Sequence, residues 1–196
     1  MQRRVAAIMP DGTELGTGSS SALLTVPNII TFARLCAVPL AVWLVLQRRV
    51  EEAFYLFVAA GLSDAVDGWL ARRGAASALG ALLDPVADKA LLVTMYVTLA
   101  AVNILPSWLA ILVVFRDVLI VGGVVCLRVL GQPVRIRPLL ISKLNTGLQI
   151  VLIAVTLLLV GFDLAAPILI TVLVWAVAAS TLASGGAYVW KAARAR

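Results

Sequence analysis

The chain has 196 residues, of which 62% are hydrophobic and only 13% are charged, and its mean hydropathy is +1.05. Soluble domains average about 45–50% apolar and about 25% charged residues, so a single soluble core of this size is excluded and the composition predicts an integral membrane protein. The net charge of +6 comes from basic residues scattered among apolar runs, which favours anionic lipid headgroups over nucleic acid as partners.

The sequence contains no histidine, and its two cysteines, Cys36 and Cys126, both lie in apolar stretches. Histidine catalysis and histidine-ligated metals are therefore excluded. A disulfide framework or a thiolate metal site is not expected. Any demanding chemistry must use carboxylates, amines, guanidinium groups or hydroxyls.

Residues 1–24 are polar and lack the continuous apolar region of a secretory signal, so we predict a retained, mobile tail. Residues 25–196 then read as apolar segments of roughly 20 residues, the length that spans about 30 Å of hydrocarbon as a helix. The apolar pattern is continuous and not alternating, which argues against strands. We predict an all-α membrane domain whose six transmembrane helices lie at about 26–47, 53–71, 79–102, 106–130, 139–161 and 165–189.

The distribution of basic residues predicts the orientation of these six spans. An even number of spans places both termini on one side, and the segments on the opposite side hold only Arg48 and Arg49, offset by Glu51 and Glu52. The positive-inside rule therefore predicts cytosolic termini. The basic residues on the terminal side are Arg3, Arg4, Arg72, Arg73, Arg128, Arg135, Arg137, Lys191, Arg194 and Arg196.

Ionisable residues inside spans are costly and by default mark function. On the predicted topology, those of this chain converge on the cytosolic half of the membrane. They are Arg34, Asp64, Asp67, Asp84, Asp88, Lys89, Arg116, Asp117 and Lys143.

The spacing of the four aspartates predicts a metal site. Asp64 and Asp67 are three residues apart and Asp84 and Asp88 four apart, so each pair shares one helix face. Two antiparallel helices would present four carboxylates to each other, and unpaired anions at that distance repel. Divalent cations that prefer hard oxygen ligands, namely Mg²⁺, Mn²⁺ or Ca²⁺, remove the repulsion. Two such ions suit phosphoryl or phosphodiester displacement.

Each charged residue also has an ordinary structural interpretation. Asp84 precedes Pro85, a pair typical of a helix N-terminus, and Asp88 with Lys89 is compatible with a solvated first turn. Arg116 and Asp117 are compatible with an internal pair that joins span four to its neighbours. Arg34 either faces a nucleotide or pairs with an aspartate. These interpretations do not jointly explain four aspartates at fixed spacing beside two glycines.

The combined motif resembles the signature of the CDP-alcohol phosphatidyltransferase family. It fixes eight positions over 25 residues and runs Asp64-x-x-Asp67-Gly68-x-x-Ala71-Arg72, seven residues, Gly80-x-x-x-Asp84-x-x-x-Asp88. The resemblance implies a six-span homodimer with a dinuclear Mg²⁺ or Mn²⁺ site. It also implies transfer of a phosphatidyl group from CDP-diacylglycerol to an acceptor hydroxyl, with release of CMP, in a bacterial or mitochondrial inner membrane.

The same resemblance implies a role for each matching residue. Asp88 would complete the metal site and act as general base on the acceptor hydroxyl. The other metal ligands would be Asp64, Asp67 and Asp84. The residues that shape the CDP pocket would be Gly68, Ala71, Arg72 and Gly80.

Shorter stretches bear on the acceptor. Arg116-Asp117 and the run from Ile141 to Thr146 resemble cardiolipin synthases of the mitochondrial type, which use phosphatidylglycerol. Related phosphatidylglycerophosphate synthases use glycerol 3-phosphate and carry a cation where this chain has Asn145, so its absence favours phosphatidylglycerol. The candidate acceptor-binding residues are Arg116, Lys143, Arg135 and Arg137, the last two being equally compatible with interfacial anchors.

A secondary transporter is the main alternative from another class, because transporters also bury carboxylates in their spans. However, residues 26–102 and 106–189 show no repeat, and the aspartates cluster at one interface instead of the midplane. Release of CMP distinguishes the two classes, since a transporter would not produce it.

The metal site generates a prediction for Asp67→Ala. The substitution removes one of four carboxylates, so the variant is expected to lose the thermal stabilisation that Mg²⁺ or Mn²⁺ gives the unaltered protein. Melting curves with and without metal measure this difference. An unchanged metal response would count against the dinuclear site.

Overall fold

The computed structural model describes the backbone of residues 26–70, 78–129 and 140–194, and the side chains of 30–66, 86–123 and 140–187. These ranges contain six α-helices and no strand. The predicted tail, residues 1–24, lies outside them. The helices are α1 (Val26–Leu46), α2 (Val50–Leu70), α3 (Ala78–Ala101), α4 (Ser107–Val129), α5 (Leu140–Gly161) and α6 (Pro167–Arg194).

The all-helical prediction is confirmed, and five of the six segments agree with the predicted ones to within three residues at each end. The exception is α6, which continues to Arg194 because a helix does not have to end where its apolar stretch ends. Within the described residues, Leu140–Gly161 and Pro167–Ala187 are long and apolar enough to cross a membrane by length and composition alone.

The six helices pack as a closed ring. α1 contacts α2 and α3, α2 contacts α5, α5 contacts α6, α6 contacts α4, and α4 returns to α3. Across the ring, α3 also contacts α5, and the Tyr96 hydroxyl donates a hydrogen bond of 3.2 Å to the Gln149 carbonyl there. The ring order separates α2 from α3 by α1, which places α1 beside both halves of the aspartate motif.

The surface of the ring is largely apolar, and its interior combines an apolar core with several buried polar side chains. Large side chains with at least 60% of their surface exposed include Phe32, Ile111, Phe115 and Trp175. Polar residues with almost no exposure include Arg34, Arg116, Asp117, Asn145 and Gln149. Monomeric soluble proteins rarely expose contiguous apolar surface on this scale. The arrangement is therefore that of a membrane-associated bundle.

The connections after α1, α3 and α5 are short turns that meet in one pocket, lined among others by Arg48, Ile104 and Asp163. We call this end of the ring the turn end and the opposite end the site end. In each of these three turns, the second residue after the helix end lies in the left-handed region. These residues are Arg48 (φ 62°), Asn103 (φ 60°) and Asp163 (φ 52°).

In each turn the following N–H bonds back to a carbonyl five residues earlier. The pairs are Arg49 to Leu44 (2.9 Å), Ile104 to Leu99 (2.9 Å) and Leu164 to Leu159 (2.8 Å). Asn and Asp tolerate the left-handed region well, whereas an arginine at this position was not expected. These backbone bonds cap the helices without glycine.

At the turn end, α5 and α2 approach so closely that only glycine fits. A Cβ built on Gly161 would lie 2.9 Å from both the Cα and the N of Glu51. Backbone atoms cannot rotate away as a flexible side chain would. The two helices are therefore in direct backbone contact at this point.

Gly161→Ala is expected to destabilise the protein by about 1–3 kcal/mol, the usual cost of forcing extra volume into a packed site. The matched control is Gly147→Ala in the same helix, where a Cβ meets nothing within 4 Å. Because alanine is the better helix former by roughly 0.5–1 kcal/mol, the control should be neutral or stabilising. Thermal unfolding in detergent compares the two, and equal midpoints would contradict the close contact.

Candidate active site

The two outer members of the aspartate motif meet on one arginine. Arg34, from α1, has its Nη1 2.8 Å from Oδ1 of Asp88 on α3 and 3.2 Å from Oδ1 of Asp64 on α2. Because one nitrogen of Arg34 contacts both Oδ1 atoms, these two oxygens can be no farther apart than the sum of the two distances. The predicted convergence of these two carboxylates is therefore seen directly.

Burial differs between the members of this cluster. The Arg34 side chain is 1% exposed, whereas those of Asp64 and Asp88 are 46% and 39% exposed. The guanidinium is thus buried, whereas both carboxylates are partly exposed. Arg34 was expected either to face a nucleotide or to pair with an aspartate. The contacts show that it pairs with Asp64 and Asp88.

The other motif side chains lie outside the described ones, although the described helical backbone includes Asp67 and Asp84. Asp67 follows Asp64 by one turn in α2, and Asp84 precedes Asp88 by one turn in α3. The remaining motif residues outside the described side chains are Gly68, Ala71, Arg72 and Gly80. Among the side chains described, no group of three potential metal ligands occurs.

The interpretation of Asp84–Pro85 as a helix N-terminus is wrong. Helix α3 begins at Ala78, six residues before Asp84. For the same reason Asp88 and Lys89 are not in a first turn. Both residues lie well inside the helix, where an ionisable side chain needs a specific partner.

A second charged cluster lies beside the first. Lys89 Nζ is 2.7 Å from Asp117 Oδ2, and Asp117 Oδ1 accepts a hydrogen bond of 2.8 Å from Arg116 Nη1. Arg116 Nη2 also donates to the hydroxyls of Ser142 (2.7 Å) and Ser184 (2.6 Å). The cluster therefore links α3, α4, α5 and α6.

These contacts bear on the predicted acceptor residues. Arg116 is 6% exposed and is bound inside the bundle, as the interpretation of an internal pair expects. Lys143 is exposed on the first turn of α5. Arg135 and Arg137 lie outside the described residues. Of the two candidates that the structure describes, Arg116 is thus buried and Lys143 is exposed.

Asn145 has a different environment from the one that sequence comparison suggested. It is fully buried, and its Oδ1 accepts hydrogen bonds from the hydroxyls of Ser180 (2.7 Å) and Thr181 (2.9 Å) on α6. The residue ties α5 to α6. A cation at this position would be buried between helices and would not project towards an acceptor.

The hydroxyl residues of this network were not predicted as functional. The sequence nevertheless shows small polar residues in the otherwise apolar α6, where Ser184 lies four residues after Ser180 and three after Thr181. Small and hydroxyl-bearing side chains at such spacing are typical of helix contacts in membranes.

The helices form a ring with an apolar surface, and Asp64 of α2 and Asp88 of α3 meet on Arg34 of α1. Residues 24–183 match the sequence model of the CDP-alcohol phosphatidyltransferase family, and the chain belongs to that family.

Several curated relatives are similar over most of this chain. A rat protein named cardiolipin synthase (CMP-forming) is 33% identical to this chain. The match covers 84% of this chain and 60% of the rat protein. The human protein of the same name is 32% identical over 93% of this chain and 68% of its own length. A chloroplastic CDP-diacylglycerol–glycerol-3-phosphate 3-phosphatidyltransferase from rice is 34% identical over 95% of this chain and 62% of its own length. The chain thus spans about two thirds or less of these proteins.

Arg34→Gln is expected to lower stability markedly, because it removes the cation that two carboxylates share. Removing one partner of a buried ion pair lowers the free energy of unfolding by about 3–5 kcal/mol. Because the carboxylates here are nearly half exposed to solvent, we expect a loss at the lower end of that range. Arg49→Gln is the matched control, since Arg49 pairs with Glu52 at 2.7 Å but is 53% exposed, and it should cost under about 1 kcal/mol. Equal losses of thermal midpoint in the two variants would refute the bridging role.

Proposed function

We propose that the protein transfers a phosphatidyl group from CDP-diacylglycerol to an acceptor alcohol and releases CMP. The observation that carries the proposal is the meeting of Asp64 and Asp88 on Arg34, with both carboxylates partly exposed. Family membership supports the same reaction, as do relatives whose names include "CMP-forming".

The residues fit a divalent metal site. The open donor groups are carboxylate oxygens, which suit Mg²⁺ or Mn²⁺, and α2 and α3 each carry a second aspartate one turn from the first. We propose that two ions are held by Asp64, Asp67, Asp84 and Asp88. Bound there, they would stabilise negative charge on the attacking and leaving oxygens.

In the proposed reaction, the acceptor hydroxyl oxygen forms a bond to the phosphorus that carries diacylglycerol. The bond from that phosphorus to the bridging pyrophosphate oxygen breaks, and CMP leaves with that oxygen. Asp88 takes the hydroxyl proton as general base. Arg34 holds one Asp88 oxygen at 2.8 Å and so orients the carboxylate. Gly68, Ala71, Arg72 and Gly80 would shape the CDP pocket.

For the acceptor we propose phosphatidylglycerol, so that the product is cardiolipin. Support comes from the rat and human relatives and from a Streptomyces coelicolor cardiolipin synthase that is 41% identical over 57% of this chain. The buried position of Asn145 removes it as an argument about acceptor charge. Glycerol 3-phosphate is the second candidate, because the rice relative carries that substrate in its name.

We further propose that all six helices span a bacterial or mitochondrial inner membrane with the site end facing the cytosol or its equivalent, as a homodimer. The turn end is compatible with a position at a membrane surface, because it carries exposed aromatic residues of the kind found at both membrane–water interfaces. They include Trp43, Tyr55, Trp108 and Phe162.

The test is release of CMP by the purified protein in detergent with Mg²⁺ or Mn²⁺ and CDP-diacylglycerol. Phosphatidylglycerol and glycerol 3-phosphate are offered separately. We expect CMP with phosphatidylglycerol and none with glycerol 3-phosphate. CMP with glycerol 3-phosphate alone would identify the second candidate, and no CMP with either would refute both acceptors.

Asp88→Asn tests the general base in the same assay. The change keeps the size of the side chain but removes its basicity, so turnover should fall by about 10²–10⁴-fold, the usual contribution of a positioned base. The thermal midpoint should stay close to that of the unaltered protein. CMP release at a near-normal rate by a folded variant would exclude Asp88 as the base.

A further inference from the structure

We propose that Lys89 is a phosphate-binding residue of the reaction site and that Asp117 positions it. The inference rests on the proposed function and deepens it. It starts from adjacent residues, Asp88 and Lys89, whose side chains take part in two separate charged clusters. One cluster joins Asp88 to Arg34 and Asp64, and the other joins Lys89 to Asp117 and Arg116.

The side chains of Asp88 and Lys89 contact different ring neighbours of α3. Consecutive residues of an α-helix project about 100° apart. Asp88 reaches towards α1 and Lys89 towards α4, which are the two ring neighbours of α3. The arc between them therefore faces the ring interior. Both side chains are partly open, at 39% and 34% exposure.

The charges of the second cluster do not balance. Lys89 and Arg116 carry two positive charges against the single negative charge of Asp117. Arg116 and Asp117 are only 6% and 8% exposed, so water compensates this excess poorly. The neighbouring first cluster carries the opposite excess, with Arg34 against Asp64 and Asp88, and the partly exposed member of the second cluster is Lys89.

The cluster also has hydrogen-bond donors to spare. An ammonium group has three donors, and among the described residues Lys89 has one charged partner, Asp117. The buried Nε of Arg116 likewise has no partner among them. A cationic site with spare donors next to a proposed metal-binding carboxylate suits a phosphate oxyanion.

Asp117 is a positioning residue in this scheme. Its two oxygens contact Lys89 (2.7 Å) and Arg116 (2.8 Å). Arg116 is in turn held by the hydroxyls of Ser142 and Ser184. Three helices thus anchor a single ammonium group beside Asp88. A lysine tail without that support would lose rotamer entropy on binding an anion.

Both proposed substrates carry the required chemistry, since the donor has a pyrophosphate and the acceptor a phosphate ester. The experiment separates these sources by measuring KM for CDP-diacylglycerol and KM for phosphatidylglycerol independently. The variants are Lys89→Met, Lys89→Arg and Asp117→Asn in the full chain, with Arg49→Gln at the turn end as control. Thermal stabilisation by each lipid alone provides a readout that does not need turnover.

Lys89→Met should raise one of the two KM values by about tenfold to a hundredfold, the effect of losing a hydrogen bond to a charged group. kcat should change less, and the same lipid should lose its stabilising effect. Lys89→Arg should restore most of the affinity. Asp117→Asn should raise the same KM by a smaller factor, while Arg49→Gln changes neither.

A lower thermal midpoint with both KM values unchanged in Lys89→Met would reduce the residue to a structural ion pair and overturn the proposal. If Lys89→Met does not fold, unchanged KM values in a folded Asp117→Asn variant would overturn the positioning role and the assignment with it. If the unaltered protein binds a lipid but releases no CMP, the proposed reaction fails. In that case the role of Lys89 is tested by the thermal stabilisation that each lipid gives. Equal stabilisation of the unaltered protein and of Lys89→Met would overturn the proposal that Lys89 binds phosphate.

Discussion

The contact of Arg34 with Asp64 and Asp88 is the interaction on which the arrangement of this molecule depends. Ionised carboxylates inside an apolar bundle are strongly unfavourable without a compensating charge. Arg34 supplies that charge from a third helix and approaches from the buried side. The carboxylates are thereby held close together without being enclosed, which a ligand site requires and a purely structural ion pair does not.

The second requirement is that the helices stay in register around this cluster. Apolar contact alone specifies helix pairing weakly when the surroundings are also apolar, so packing and interhelical hydrogen bonds have to do so. The bonds from Arg116 to Ser142 and Ser184, and those from Ser180 and Thr181 to Asn145, serve this role between α4, α5 and α6. Polar residues in the bundle are therefore divided between ligand-facing and helix-joining positions.

Much of this could be predicted from the sequence, because helix length and residue spacing are local properties. Apolar runs of about 20 residues located the helices, and the spacing of the aspartates predicted that carboxylates of α2 and α3 come together, as Asp64 and Asp88 do. Contacts between distant helices could not be predicted in this way. The choice of partner for Arg34, and the burial of Arg116 and Asn145, depend on the ring order, which no local pattern encodes. The left-handed conformation of Arg48 could not be predicted either, because backbone hydrogen bonds and not its side chain stabilise the turn.

The close approach of α5 to α2 at Gly161 has a consequence for ion permeability. Charged groups within a membrane protein offer a path for protons and metal ions unless another part of the bundle is dry and closely packed. Here the residues nearest the turn end of the interior are large and apolar, including Leu99, Leu109 and Leu157, all fully buried. Together with the backbone contact at Gly161, this packing would close the end of the bundle opposite the site. In the proposed orientation, the bundle can therefore hold a polar reaction site open to one compartment without dissipating the gradient across an energised membrane.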